Sequence, residues 1–178
     1  MFSRLPINIL RFIALLAVQV LIFSKLNLGP ALSPYICPYV YPLFILLLPF
    51  GTPQWLLMIL GFVTGLILDF FLGAPLGMHG ASCLLIAYLR PFLISIITPK
   101  GAEFEVEPNI FLQGVTWFLI YCGLSAVIYH TFYFLIESWT FYNLFISVAR
   151  IFVSSAFSVL FMMMFLFLFT SGKKRRLA

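Results

Sequence analysis

Apolar residues fill the chain in six long blocks, over roughly 7–26, 34–50, 53–72, 76–97, 109–136 and 142–170. A helix that crosses a bilayer needs about 20 mostly apolar residues. The pattern therefore predicts an all-α integral membrane protein. It would be a bundle of six transmembrane helices forming one polytopic domain over 1–178. The second block is the exception in texture, because Pro34, Pro38 and Pro42 punctuate its start. Each proline removes a donor and clashes with the preceding turn. That end is expected to be irregular or kinked, which a membrane tolerates only under a shield of protein or near the interface. Pro91 is expected to kink the fourth helix after Arg90. The first block has a basic start, as a signal peptide would. Its apolar run continues to about Leu26 with no small-x-small cleavage site, so a retained span is expected.

Composition decides the solvent. The chain is 63% hydrophobic and only 8% charged, with a mean hydropathy of +1.15. A soluble domain carries about 25% charged residues. The net charge is +5, and four of the ten basic residues stand together at 173–176. The rest are too scattered to make a nucleic-acid-binding face. They do carry an orientation signal. Arg4, Arg11, Lys100 and the 173–176 cluster fall on one side of a six-span arrangement, with Arg90 close to it, and Lys25 stands alone on the other. Both termini and the polar 98–108 loop are thus expected in the cytoplasm, with 171–178 as a basic tail against lipid headgroups. Trp55, Trp117 and Trp139 fall near expected span ends, where an indole can meet headgroups. Cys37, Cys83 and Cys122 share no close spacing. They read as small apolar fillers with no disulfide and no metal site.

The chemistry concentrates in "GLILDFFLGAPLGMHG" at 65–80. Gly61, Gly65, Asp69 and Gly73 recur every four residues, giving one slowly drifting helix stripe. Gly61 and Gly65 form a GxxxG, which permits close helix contact. The stretch 73–77 suits a tight turn, so Asp69 and His79 would meet at the mouth of a helical hairpin. His79, Cys83, Ile86 and Arg90 share one face of the fourth helix. Ser147, Arg150, Ser154 and Ser158 make a second polar stripe in the sixth. An isolated charge at the bilayer centre costs about 2.5–3.5 kcal/mol on insertion scales. An Asp69–Arg150 ion pair with His79 as third member is the expected remedy. This cluster can be read as structural, as a ligand or proton site, or as a docking site. A catalytic reading lacks a nucleophile, a metal cluster or a second acid, so no enzyme activity and no cofactor is expected. Arg90 and Arg11 are expected to snorkel to the inner surface. His130 is expected to be a satisfied interfacial histidine.

The segment "LLGF…GLILDFFLGAPLGMHGASCLLIAYLRP" resembles the signature of MreD, the family of bacterial rod shape-determining membrane proteins. The matching positions are Gly61, Gly65, Asp69, Pro75, Gly77, His79, Ala87, Tyr88, Leu89, Arg90 and Pro91. Residues 39–62, "WFLIY" at 117–121 and the pattern from His130 to Glu137 are similar to members from Bacteroidetes. Gly80 departs from the more usual alanine. The resemblance implies a multi-pass protein of the bacterial inner membrane without catalysis. It would be a scaffold of the cell-wall elongation machinery that docks an MreC-type partner and, through it, MreB, RodA and a class B penicillin-binding protein. The Gly61/Gly65 stripe is a candidate seam for that partner. The family is also similar, at fold level, to the six-helix substrate-binding subunits of energy-coupling-factor vitamin transporters. The alternative function is accordingly that of a small-molecule-binding transporter subunit. Such a subunit should line an outer pocket with polar and aromatic groups, whereas the expected outer loops are short and nearly uncharged.

Overall fold

Helices follow the apolar blocks wherever proline and glycine permit. The computed structural model describes residues 5–25, 35–98, 108–138 and 144–169. Seven α-helices are present among them: α1 (Leu5–Leu21), α2 (Leu43–Leu47), α3 (Gln54–Leu72), α4 (Met78–Ile97), α5 (Ile110–Gln113), α6 (Val115–Ser138) and α7 (Leu144–Phe169). No strand occurs among the described residues. Five helical stretches are long and apolar enough to cross a membrane: Pro6–Lys25, Gln54–Leu72, Met78–Ile97, Val115–Glu137 and Ile146–Leu168. The protein is thus an all-helical, multi-pass membrane protein. Arg4, Lys100, Trp139, the basic tail and most of the 98–108 loop lie outside the described residues.

The second block is not a helical span. After an extended stretch to Val40, only the five residues of α2 are helical. Proline explains the break, because Pro38 and Pro42 cannot donate to a helical ladder. The shielding required of such backbone is provided by protein, for Val40 to Leu48 are all buried. The remaining spans pack around it. α3 and α4 form a tight hairpin, and α6 packs against both α4 and α7. The fifth block is split at Gly114, whose φ of 88° closes α5 before α6 begins.

Orphaned backbone groups in the segment are met by side chains from the surrounding helices. Gln19 of α1 donates to the Pro38 carbonyl and accepts from the Val40 amide, at 3.1 and 2.8 Å. Ser154 and Ser158 of α7 accept from the amides of Cys37 and Tyr39, at 3.1 and 2.9 Å. Ser154 also donates to the Tyr35 carbonyl. Two of the residues in the polar stripe of α7 therefore serve an extended chain in place of a neighbouring strand. Pro91 poses the same problem inside α4. Its missing N–H frees the Ala87 carbonyl, and the Gln54 amide donates to that carbonyl and to Tyr88's, each at 3.0 Å.

Candidate functional site

Asp69 is the knot of the α3–α4 hairpin. Its backbone carbonyl accepts from the amides of Gly73 and Ala74, ending α3 with Gly73 in the left-handed region at φ 64°. Its carboxylate accepts from the amides of Gly77, His79 and Gly80 at 2.8, 3.0 and 3.3 Å. One buried side chain thereby covers the open amides at the start of α4, where the helix dipole also favours negative charge. The expected Asp69–Arg150 ion pair is replaced by this arrangement. Arg150 pairs instead with Glu137, Nη1 to Oε2 at 2.9 Å, and stacks its guanidinium 4.3 Å over Phe134. Asp69 and His79 do meet, but through the histidine's amide and not its ring.

This separation makes a test. Asp69→Ala leaves three amides unmet, and about 2–4 kcal/mol of stability should be lost on that account. Arg150→Ala should cost less, because its partner Glu137 is partly exposed. The two losses should add in the double variant, measured by thermal unfolding in detergent. A double variant no worse than Asp69→Ala alone would restore the direct pair.

The glycine stripe is spent on the same hairpin. A Cβ on Gly65 would stand well under 3.0 Å from the backbone of His79 and Gly80, closer than real Cβ atoms ever come. One on Gly61 would lie 3.0 Å from the Cys83 carbonyl oxygen and 3.2 Å from the Ala87 Cβ. Gly61 and Gly65 are thus an internal seam between α3 and α4, and the expected partner seam there is corrected.

The His79 ring points into a box of tyrosines. Its Nδ1 meets the hydroxyls of Tyr129 and, at 3.3 Å, Tyr41, which bond each other at 2.6 Å. Tyr133 stacks on the imidazole with centroids 4.6 Å apart, and Tyr39 meets it edge-on at 4.8 Å. Cys83 donates weakly to Tyr41 at 3.5 Å. His130 is buried beside this box rather than interfacial. Its Nδ1 faces the Ala126 carbonyl at 2.8 Å and its Nε2 faces the Cys37 carbonyl at 3.1 Å.

Arg90 does not snorkel. It is 1% exposed and reaches into the bundle. Nε donates to the Tyr121 hydroxyl at 3.1 Å, Nη1 to the Pro49 carbonyl at 3.5 Å, and Nη2 to the Leu48 carbonyl. Tyr121 passes the contact on to the Leu46 carbonyl at 3.4 Å. The guanidinium thus gathers the carbonyls where α2 ends, the negative end of a short helix. Arg11 bonds the Asn8 side chain at 3.3 Å. Trp117 is also internal, packed on Tyr121 with its indole donating to Thr98 at 3.2 Å.

Sequence reasoning missed the tyrosines and Glu137, although a signal existed. Tyr121, Ser125, Tyr129, Tyr133 and Glu137 stand every four residues along α6, in a chain that otherwise prefers phenylalanine, 22 to 8. Along the broken segment, Tyr35, Cys37, Tyr39 and Tyr41 alternate with the period of extended backbone. Neither a family model, nor a characterised protein, nor a solved structure matches this chain.

Proposed function

We propose that the protein is a non-catalytic scaffold of the MreD type, acting in the bacterial inner membrane to hold the transmembrane helix of an MreC-type partner within the wall-elongation machinery. One observation carries this reading: the two fully buried charged side chains and two serines of α7 are consumed by the protein's own backbone. Asp69 serves the start of α4, Arg90 the end of α2, and Ser154 and Ser158 the extended segment. What the chain offers outward is lateral apolar helix surface, with Leu10, Phe70, Tyr88 and Leu168 among its most exposed residues. Membrane helices associate through such surfaces by close packing. With Gly61 and Gly65 buried in the hairpin, the docking face belongs to another part of that surface.

The test is co-purification of the tagged full-length protein from its native membrane in mild detergent, followed by mass spectrometry. An MreC-type bitopic protein should be enriched, and depletion of the scaffold should round the cells. Enrichment of an ATP-driven transport module would favour the vitamin-type binding subunit instead. Turnover of a lipid-linked precursor by the purified protein would overturn the non-catalytic reading. Both termini are proposed to be cytoplasmic. An impermeant reagent that labelled a cysteine introduced at position 102 in intact cells would reverse that topology.

A further inference from the structure

A groove of about 650 Å³ opens between the α3–α4 turn and the last turn of α6, walled by Leu76, Met78, Tyr133, Ile136 and Glu137. We propose that it is a site for one zwitterionic aminophospholipid, with the lipid's primary ammonium at Glu137 and its phosphate toward Arg150. The position fits a headgroup, because α3 and α6 end here and α4 begins here, at the boundary of the apolar spans. The volume fits too, lying within the range of about 300–1,000 Å³ usual for small-molecule sites.

The wall chemistry selects the class of lipid. Glu137 is the one acid among the described lining residues, and it is 37% exposed although bonded to Arg150. Arg150 is not itself a lining residue, but it is 23% exposed and bonded to Glu137 through Nη1. The groove wall therefore presents a carboxylate whose ion-pair partner is a partly exposed guanidinium, and the pair has no net charge. A purely anionic headgroup would meet the carboxylate, and a purely cationic one the guanidinium. A headgroup holding ammonium and phosphate a few bonds apart meets both with opposite sign. A primary ammonium is favoured over choline, because its N–H groups can donate to Glu137 and a quaternary nitrogen cannot. The remaining walls are apolar, and Leu76 is 76% exposed beside the opening, which gives acyl chains a way out to the bilayer. Tyr133 is held rigid by stacking on His79 and forms a fixed side of the groove.

The experiment needs no protein partner, so it is independent of the scaffold reading. Full-length protein would be reconstituted in nanodiscs of phosphatidylcholine, alone or mixed with phosphatidylethanolamine or phosphatidylglycerol, and retained lipid would be counted by native mass spectrometry. Phosphatidylethanolamine should be retained about tenfold over phosphatidylcholine, the scale of one charge-assisted hydrogen bond. Glu137→Gln should remove that preference. Ile136→Trp, which fills the groove and leaves the ion pair intact, should remove it as well, and it decides the matter if the first variant does not fold. Equal retention of the lipids, preferential retention of phosphatidylglycerol, or a preference surviving in Ile136→Trp would overturn the proposal.

Discussion

Arg90→Ala is expected to cost this protein more stability than any other removal of a single polar side chain. The substitution orphans the Leu48 carbonyl and takes away the donor that the Tyr121 hydroxyl accepts from, while the Pro49 carbonyl keeps the Thr52 amide and hydroxyl. Each buried polar group left unmet costs about 1–3 kcal/mol, and the space left by a large, fully buried side chain adds to that, so the total should be on the order of 3–5 kcal/mol. The loss should exceed that from Tyr121→Phe, about 1 kcal/mol, because Tyr121 makes only two of the contacts in this chain. Arg90→Lys should fall between them. An ammonium is a point donor on a flexible stem and cannot span three acceptors as a planar fork does. The Arg90→Ala and Tyr121→Phe losses should sum to more than the double variant's loss, since each removes part of the other's contact. Unfolding midpoints in detergent, with abundance in the membrane as a second readout, would measure all four variants. An Arg90→Ala protein with the native midpoint would show that the guanidinium does not hold the end of α2.

The parts of this architecture that depend on local pattern are legible in the sequence. Apolar length locates five of the spans, and the four-residue rhythm of Gly61, Gly65 and Asp69 marks the hairpin and its turn at 73–77. The prolines at 38 and 42 warn of an irregular second block. What pattern cannot supply is pairing across the bundle. Charge matching suggests Asp69 with Arg150, yet the carboxylate's nearest unmet donors are amides eight to eleven residues along its own hairpin. Depth alone makes Arg90 look like a snorkelling residue. Its true partners are carbonyls about forty residues upstream, exposed where α2 ends ahead of Pro49. The reason is physical. In a membrane, a helix break generates unmet backbone groups, and polar side chains in neighbouring spans should be assigned to those groups before being assigned to one another. Applied to this sequence, that order accounts for Gln19, Gln54, Arg90, Ser154 and Ser158 together.

Gly65→Ala is expected to be the most damaging small substitution in the chain, and Gly61→Ala a milder one. The added methyl at 65 would overlap three backbone atoms of His79 and Gly80, and backbone cannot rotate away as a side-chain tip can. α3 and α4 would have to separate at the level where Asp69 holds the amides of His79 and Gly80, so the clash and the lost hydrogen bonds add. Overpacking alone costs about 1–3 kcal/mol and occasionally more, and Gly65 belongs at or above the upper end. At Gly61 the nearest atoms are 3.0 to 3.3 Å away, and one of them is a side-chain methyl, so a small shift absorbs the change. Gly123, in the middle of α6, has nothing within 4 Å of the place a methyl would take and serves as the control. Gly123→Ala should gain about 1 kcal/mol from helix propensity alone. The three alanine variants, compared by unfolding midpoint in one detergent, should therefore rank 123 above native, native above 61, and 61 well above 65. A Gly65→Ala protein as stable as the Gly61→Ala protein would mean that the two helices do not touch at that depth.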